Sequence, residues 1–297
     1  MIILNITYWV AAHLTGIFEI KDLHQNPLER GSRGAGVSIN RGVKTTVMES
    51  EEPTVKIFFD GKEMEQDQAM VTWELLQIML PDSSRSNFNV YHEFEIPLSA
   101  GYGASAAGAL GCAFAINNFF KLGLPEITLY HFAHQTEVSL KTGLGDIIGL
   151  YQGGLELRTK EGAPGIGETT ALIKDSDWHI ATLSCGSLST ASVLIDPMKR
   201  NQVNSVGHSL INQLVENPKY SHFIKLTEQF SKDVQLYSKN VERILLEVPK
   251  NVKAAQIMLG DSLFLFYQDR DDILPFSEKF ESLMFEEICH NTVVKES

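Results

Sequence analysis

The chain has 297 residues, of which 43% are hydrophobic and 21% are charged, and its formal net charge is -12 at pH 7. This length is enough for about two domains with a sizeable core, and the acidic balance disfavours binding to nucleic acid or to an anionic membrane, because either would need a basic face. Cys112, Cys185 and Cys289 are too far apart for a CxxC site and odd in number, so we expect a reducing cytoplasm.

The N-terminal third of the chain is rich in predicted strands. The runs "IILNITYWVA", "GAGVSI", "KTTVME", "TVKIFF" and "NVYHEFEI" are β-branched or alternating, and Gly, Pro and Asp separate them. The apolar N-terminal run has no Lys or Arg before it and is interrupted by the polar residues Asn5, Thr7 and His13, so it predicts a buried strand rather than a signal peptide. One helical pattern, "AMVTWELLQIML", lies among these strands.

The periodicity becomes helical after a glycine-rich stretch. Residues 104–122 are mostly small and apolar and are followed by Gly123. Residues 127–142 form an amphipathic pattern that is followed by Gly143. Because glycine commonly ends helices, these patterns predict two consecutive helices after the glycine-rich stretch.

The C-terminal half mixes both kinds of pattern. The strand-like runs "GGLELRT" and "WHIATLSC" precede three helical patterns, "SLINQLVEN", "FIKLTEQFSKDV" and "VERILLEV". The runs "AAQIML" and "SLFLFY" flank Gly260 and Asp261 and predict a hairpin. We therefore expect an α+β fold with two lobes, residues 1–155 and residues 156–297.

The glycine-rich stretch "PLSAGYGASAAGALG", residues 97–111, is compatible with several functions. "GYGASA" matches the GxGxxA dinucleotide fingerprint, but a helical pattern continues where an acidic residue should close a second strand. "GASAA" approximates the nucleophile elbow of a serine hydrolase, and Ser105, Asp146 and His208 have a suitable chain order, although the final glycine is missing. Close packing of a helix of small residues is the purely structural alternative.

A phosphate site fits this arrangement best. Glycines let backbone amides turn toward an anion, and a helix that begins near Ala104 directs its positive N-terminal end at the same point. Ser105 would lie in the first turn, where its hydroxyl can reach a phosphate oxygen or a magnesium ion. The predicted phosphate-binding residues are Pro97, Gly101, Gly103, Ala104, Ser105 and Ala106.

The same stretch resembles a known signature. "PLSAGYGASAA" is similar to the phosphate-binding pattern of the GHMP kinases (galactose, homoserine, mevalonate and phosphomevalonate kinases), roughly PxxxGLGSSAA. "AAHLTGIFEI", "GSRGAGVSIN" and "GLGDIIGLYQGG" resemble the archaeal pantoate kinases within that superfamily, and the resemblance covers residues 8–268. The chain departs from the superfamily in its C-terminal glycine-rich signature, which is reduced to "AAQIMLGDSLF" with Gly260 alone.

The resemblance implies a two-lobed GHMP kinase fold, ATP and Mg2+ as cofactors, and phosphorylation of pantoate to 4-phosphopantoate on an archaeal route to coenzyme A. Homoserine, shikimate or mevalonate are alternative acceptors. The alternatives from other classes are a serine hydrolase that uses Ser105 and a catalytically silent nucleotide-binding module, although the presence of both Glu137 and Asp146 disfavours a silent module. No nucleic-acid or membrane partner is expected, and the sequence does not decide between a monomer and a homodimer.

Two carboxylates match the groups that such a kinase needs. Phosphoryl transfer requires neutralisation of charge and a group that orients or deprotonates the acceptor hydroxyl. By the resemblance, Glu137 corresponds to a magnesium ligand, together with Ser105, and Asp146 corresponds to the catalytic base. The alternative for Glu137 is a helical pair with Lys141, and the alternative for Asp146 is an exposed loop residue.

The segment "HFAHQTE" places His131, His134 and Glu137 at regular spacing on one helix. This spacing allows a transition-metal site, but successive positions drift around the helix, and magnesium prefers oxygen ligands. The resemblance instead implies that His134 lines the acceptor pocket, and a buried, hydrogen-bonded histidine is the alternative.

Pantoate carries a carboxylate, so an acidic protein needs a local cation and hydrogen-bond donors to hold it. Arg158 in "GGLELRT" is the strongest candidate, because a guanidinium can bind a carboxylate through two hydrogen bonds, and Arg33 in "GSRGAG" is its competitor. The resemblance favours Arg158 and adds Ser32 and a hydroxyl of "SLST", for which we choose Thr190 over the adjacent Ser189.

Overall fold

The computed structural model of the chain describes residues 4–80, 87–186 and 195–296. The strands, in chain order, are β1 (Asn5–Lys21), β2 (Gly31–Glu49), β3 (Lys56–Phe59), β4 (Lys62–Glu63), β5 (Phe88–Phe94), β6 (Leu155–Lys160), β7 (Glu168–Ala171), β8 (His179–Ser184), β9 (Lys253–Gln256), β10 (Ser262–Tyr267), β11 (Leu283–Glu286) and β12 (Val293–Glu296). The α-helices are α1 (Met70–Met79), α2 (Ala104–Phe119), α3 (Glu126–Leu140), α4 (Asp146–Gln152), α5 (Pro197–Glu216), α6 (Tyr220–Val234), α7 (Lys239–Glu247) and α8 (Leu274–Ser277). This mixture of helices and largely antiparallel sheets confirms the predicted α+β class.

The long strands β1 and β2 form the centre of the larger sheet. They pair antiparallel along their length, from Asn5 opposite Met48 to Lys21 opposite Gly31. The sheet has the order β12-β1-β2-β5-β3-β4, while β6 pairs with β2 and β7 pairs with β6. Every residue of β1 from Val10 to Ile20 is buried, as expected for a strand whose apolar and β-branched side chains pack on both faces.

Helix α2 packs against β1 and β2 and fixes the position of the glycine-rich loop. Its residues from Ala106 to Ile116 are all buried, because small side chains allow the helix axis to approach the sheet closely. The loop before it is attached to the middle of β1, where the His13 amide donates to the Tyr102 carbonyl at 3.3 Å. The first turn of α2 therefore lies beside the centre of the larger sheet.

The smaller sheet has the order β11-β8-β10-β9. Its strands β9 and β10 form the predicted hairpin, with Gly260 and Asp261 in the connection. Helix α6 packs on β9, and helix α5 packs on β1. The two helices thus cover the region between the smaller sheet and the larger one.

Most of the predicted elements are confirmed, with differences at their ends. The apolar N-terminal run is the buried strand β1, and the three helical patterns of the C-terminal half correspond to α5, α6 and α7. Helix α2 ends at Phe119 rather than at Leu122, because Lys121 adopts a left-handed backbone with φ of 52°. None of the described helices combines the length and apolar character needed to cross a bilayer.

The larger sheet takes strands from both sides of residue 155. Strands β6, β7 and β12 all follow this residue, yet they belong to the larger sheet. Gly34 of β2 lies opposite Arg158 of β6, for example. The predicted boundary at residue 155 would therefore cut through one continuous hydrogen-bonded sheet.

Candidate active site

The glycine-rich loop has the backbone that its sequence predicts. Gly101 and Gly103 have φ of 90° and 66°, values at which a side chain would strain the backbone. Gly103 is the N-cap of α2, so the helix begins at Ala104 and Ser105 lies in its first turn. The loop and the helix end together can present backbone amides and a positive helix dipole to an anion.

This loop forms one wall of a large cavity of about 710 Å³. The cavity is also lined by the segment 140–146 between α3 and α4 and by Thr15, Phe18 and Ser32 of the two central strands. Of the predicted phosphate-binding residues, Gly101, Gly103, Ala104 and Ser105 line it, whereas Pro97 and Ala106 are not among its lining residues. The lining also has an apolar part, Phe59, Met70, Val71, Phe94 and Leu98, together with the polar residues Asp67 and Gln68.

Lys141 supplies a positive charge to this cavity. It is exposed, follows the C-terminal end of α3, and has φ of 58°. In the three described ranges of the chain, it is the only Lys or Arg that lines the cavity. A cavity that binds an anionic ligand in a protein of net charge -12 thus depends on one lysine and on backbone dipoles.

Ser105 lines the cavity and is paired with Glu137, which is buried behind it and is not itself among the lining residues. The Ser105 hydroxyl donates to Glu137 Oε2 at 3.1 Å, and the Thr142 hydroxyl donates to Glu137 Oε1 at 2.7 Å. Burial raises the pKa of Glu137 to about 7 against the effect of the hydrogen bond from Thr142, and the charge of Asp146 raises it further. A bound cation would offset the cost of holding the charged form of this buried carboxylate.

The donor set of this cluster fits Mg2+. Magnesium prefers oxygen ligands and is usually held by one or two carboxylates together with substrate phosphates. The hydroxyl of Ser105 and the carboxylate of Glu137 supply such oxygens beside the phosphate loop. Asp146 is close by, since a Cβ atom on Gly143 would lie 3.0 Å from Asp146 Oδ2 and would collide with Glu137 Oε2.

The structure does not assemble the transition-metal site that the histidine spacing allowed. His131 Nε2 donates to the Pro164 carbonyl at 2.8 Å, and His134 Nε2 donates to the Arg30 carbonyl at 2.9 Å. Glu137 is engaged by Ser105 and Thr142 instead. The three side chains have separate partners, because their spacing turns them to different sides of α3.

Asp146 begins helix α4 and lines the cavity. Its Oδ1 atom lies 2.9 Å from Nδ1 of His13, a fully buried residue of β1. The other ring nitrogen of His13, Nε2, lies 3.0 Å from Oε1 of Glu156, which is also fully buried. The predicted catalytic base is therefore held by a buried histidine that the sequence had indicated only as a polar residue in an apolar run.

A serine hydrolase triad is not present. Ser105 is hydrogen-bonded to Glu137, and Asp146 is hydrogen-bonded to His13. His208 lies on α5 and interacts with Glu19 at 3.2 Å. The three residues with a suitable chain order are thus not hydrogen-bonded to one another, which contradicts the hydrolase alternative.

Two of the predicted acceptor-binding residues, Ser32 and Arg158, lie next to each other at the cavity. Ser32 lines the cavity. Arg158 has no exposed surface and lies behind the lining residues: it donates to Thr15 Oγ1 at 3.3 Å and forms an ion pair with Glu156. A Cβ atom on Gly145 would lie 2.8 Å from Arg158 Nε and would collide with Ser32 Oγ, so these two polar groups are neighbours.

The remaining candidates are less close to the cavity. His134 is buried, is absent from the cavity wall, and has its pKa lowered to about 4 by burial. This geometry favours the buried, hydrogen-bonded alternative for His134. Arg33, the competitor of Arg158, pairs with Glu19 at 3.1 Å and donates to Asn212 at 2.9 Å. Thr190 and Ser189 lie outside the described residues.

Comparisons with known proteins show the family to which the chain belongs. Residues 69–154 match the GHMP kinases N terminal domain. The pantoate kinase of Thermococcus kodakarensis is 32% identical over 272 residues, which cover 89% of this chain and 88% of that protein. The pantoate kinase of Methanocaldococcus jannaschii is 28% identical over 252 residues, which cover 85% of this chain and 89% of that protein.

Solved structures share the fold. One named "Phosphotransferase related to CoA biosynthesis pathway" has a TM-score of 0.86 and 28% identity, with 99% of each chain covered. The homoserine kinase of Cytophaga hutchinsonii has a TM-score of 0.65 at 14% identity, with 98% of this chain and 97% of that chain covered. The chain therefore has the GHMP kinase fold and belongs, within the GHMP kinases, to the pantoate kinase family.

Proposed function

We propose that this protein transfers the γ-phosphoryl group of ATP to a hydroxyl of pantoate and releases 4-phosphopantoate and ADP. One observation carries the proposal: the glycine-rich loop, Ser105 and Asp146 line the same cavity of about 710 Å³, and Ser105 is hydrogen-bonded to the buried Glu137. This volume suits a nucleotide and a small acid together. The relatives named pantoate kinase support pantoate as the acid.

The polar and the apolar parts of the cavity lining suit the two ends of a nucleotide. The loop residues Gly101 to Ser105 would bind the phosphates through backbone amides and the N-terminal end of α2. The apolar part of the lining, which includes Phe59 and Phe94, would hold the adenine ring, since a planar base is stabilised by aromatic and aliphatic side chains. The reacting phosphate would then lie near Ser105 and Glu137.

Ser105 and Glu137 would hold Mg2+, which neutralises the charge on the phosphates. Asp146 would orient the acceptor hydroxyl and accept its proton as the new phosphorus–oxygen bond forms, because it lines the cavity beside the phosphate loop. Lys141 would add positive charge at the same cavity. Catalysis of phosphoryl transfer rests mainly on such positioning and charge stabilisation.

Ser32 and Arg158 would bind the carboxylate of the acceptor. Ser32 lines the cavity, and Arg158 lies directly behind it. The Nε atom of Arg158 is buried and has no hydrogen-bond partner in the part of the chain that the structure describes. A buried donor without a partner is costly, so an acceptor oxygen of the substrate is a suitable partner.

The proposal is tested by ADP release from ATP against pantoate, homoserine, shikimate and mevalonate. We expect pantoate to be preferred, and Asp146→Asn to lower kcat by about a hundredfold or more while ATP binding stays close to wild type. The Asn side chain keeps a similar shape but cannot accept the proton. A preference for another acceptor, or wild-type turnover in Asp146→Asn, would contradict the proposal.

The carboxylate site is tested by Arg158→Met with Arg33→Met as the matched control. Loss of Arg158 should raise the KM for pantoate far more than the KM for ATP, and Arg158→Lys should restore only part of the binding. Pantoate should lose its advantage over its neutral amide analogue in Arg158→Met but not in Arg33→Met. The reverse pattern would assign the carboxylate to Arg33.

A further inference from the structure

His13 occupies a closely fitted slot between two carboxylates. It has no exposed surface, and its ring nitrogens lie 2.9 Å from Asp146 Oδ1 and 3.0 Å from Glu156 Oε1. A Cβ atom on Gly36 would lie 2.8 Å from His13 Nε2, and one on Gly149 would lie 2.7 Å from its Cδ2 atom. Glycine backbones of β2 and α4 therefore restrict the ring, which has little freedom to rotate or shift.

The hydrogen bonds require two donors on this ring. A neutral imidazole has one N–H donor and one acceptor nitrogen, whereas an imidazolium has two donors. With carboxylates at both nitrogens, a neutral ring would place a lone pair against an oxygen of Asp146 or Glu156. The imidazolium instead completes a row in which charges alternate from Asp146 through His13 and Glu156 to Arg158.

The balance of forces on His13 agrees with this assignment. Burial by itself acts to lower the pKa of His13, but the hydrogen bonds and charges of Asp146 and Glu156 outweigh it, so that the pKa is raised overall. Asp146 faces the ring from α4 and Glu156 faces it from β6, with Arg158 beyond Glu156. The β2 and α4 backbones meet the ring at Gly36 and Gly149.

We propose that His13 is a positioning residue for phosphoryl transfer: as an imidazolium anchored on buried Glu156, it fixes the carboxylate of Asp146 in the orientation that meets the acceptor hydroxyl. This inference rests on the proposed function, since it concerns the base of that reaction. The contact uses Oδ1 and leaves Oδ2 on the side of Gly143 and Glu137. Oδ2 is then the atom that receives the hydroxyl proton, which moves from the acceptor oxygen as the oxygen–phosphorus bond forms.

The positioning role is tested by a double-mutant cycle on kcat. His13→Gln should lower kcat by about tenfold to a hundredfold with little change in the KM for ATP or pantoate, because a misplaced catalytic group weakens the transition state. If His13 acts through Asp146, adding His13→Gln to Asp146→Asn should cost little more. Independent, multiplying losses would overturn the proposal, as would wild-type kcat in a folded His13→Gln variant.

The matched control is His92→Gln, which removes another buried histidine. His92 also lines the cavity, but its ring nitrogens are hydrogen-bonded to Thr45 at 2.9 Å and Thr72 at 3.0 Å rather than to Asp146. Any loss of kcat that His92→Gln causes, measured at saturating ATP, should therefore multiply with that of Asp146→Asn. Comparing the free energies of unfolding of the two histidine variants separates the general cost of losing a buried ring from the effect on catalysis.

Nitrogen-15 NMR of the wild-type protein tests the protonation of His13 without any variant or any turnover. Both ring nitrogens should be protonated at neutral pH, and Glu156→Gln should weaken that protonation, because it removes one of the two charges that stabilise it. An unprotonated ring nitrogen in the wild type would overturn the proposal even if pantoate is phosphorylated. Absence of turnover with pantoate would instead reject the proposed function, and the NMR result would still decide the state of His13.

Discussion

The backbone of Gly260 lies against the backbone of Gly101, so closely that a Cβ atom on Gly101 would come within 2.9 Å of Gly260 N and Cα. Gly260 belongs to the connection between β9 and β10, and Gly101 belongs to the phosphate loop. The position is fixed further by Gln256, whose side-chain amide donates to the Gly260 carbonyl at 2.8 Å. The single glycine that remains of the C-terminal signature thus supports the phosphate loop.

This contact predicts that Gly260→Ala weakens ATP binding. The added methyl group would collide with the carbonyl oxygen of Ala100, so the loop has to move. We expect the KM for ATP to rise about tenfold and the free energy of unfolding to fall by about 1 to 3 kcal/mol. In the control Gly108→Ala the methyl group would lie 3.5 Å from the His92 ring, an ordinary contact, and stability should stay within about 1 kcal/mol of wild type. An unchanged KM in Gly260→Ala would contradict the supporting role.

Patterns among neighbouring residues predicted the two halves of this contact but not the contact itself. The glycine spacing, the start of α2 at Ala104 and the β9–β10 hairpin depend on residues close in sequence, so a single sequence contained enough information. The approach of Gly260 to Gly101 depends on how distant segments pack. The pairing of β6 and β12 with the larger sheet is also not local, so patterns among neighbouring residues did not indicate it.

The residues of the candidate site also differ in whether the sequence could predict them. Glu137 and Asp146 were predicted because the segments that carry them resemble a family, and the structure places them near each other. His13 stood out only as a polar residue in an apolar run, because its partners Asp146 and Glu156 lie far along the chain. Lys141 was considered only as a helical partner of Glu137, and its place on the cavity follows from the packing of α3 beside the phosphate loop.

The Ser105–Glu137 pair predicts that replacing either residue raises the Mg2+ concentration needed for activity. Glu137→Gln removes the charge that attracts the cation, and we expect the Mg2+ concentration for half-maximal activity to rise by about tenfold or more, with a smaller rise for Ser105→Ala. Titration of activity with Mg2+ at fixed ATP measures this. The control is Thr136→Val on the same helix, which removes a hydroxyl that donates to the Phe132 carbonyl at 2.9 Å. An unchanged Mg2+ requirement in Glu137→Gln would refute the assignment.

The pKa of Glu137 gives this requirement a pH dependence. Because burial raises its pKa to about 7, the carboxyl group is largely protonated below that value and must lose its proton to bind a metal. The Mg2+ concentration needed for half-maximal activity should therefore fall as the pH rises from about 6 to about 8. Glu137→Gln should lose this dependence, whereas Thr136→Val should keep it.

Lys141 is predicted to contribute to the binding and transfer of the phosphates. Lys141→Met should lower kcat/KM for ATP by about tenfold or more, and added salt should inhibit this variant less than the wild type, because a cation–anion attraction has been removed. Lys121→Met is a matched control. Lys121 also follows a helix and has a left-handed backbone, with φ of 52° against 58° for Lys141, but it does not line the cavity. Equal effects of the two substitutions would show that the position on the cavity is unimportant.

His92 is predicted to make the protein less stable in acid. It is fully buried among Thr45, Thr72 and aromatic rings, and burial lowers its pKa from 6.5 to about 4. In the unfolded chain the ring binds a proton below about pH 6.5, while in the folded chain it stays neutral down to about pH 4. The unfolded state therefore binds more protons in this interval, so the contribution of His92 to stability is complete above pH 6.5 and is lost as the pH falls toward 4.

The size of this effect is isolated by comparison with His92→Gln, because all other titrating groups are shared by the two proteins. Urea unfolding at about pH 7 and about pH 5 should show that the wild type loses about 2 kcal/mol more than the variant, the value expected for one proton taken up over about 1.5 pH units. The variant is expected to be less stable than the wild type at pH 7, since the two threonine hydroxyls lose their partner, and the difference should narrow in acid. Parallel losses of stability in the two proteins would mean that His92 accepts a proton inside the folded structure, which would contradict its placement as a neutral ring between two hydroxyl groups.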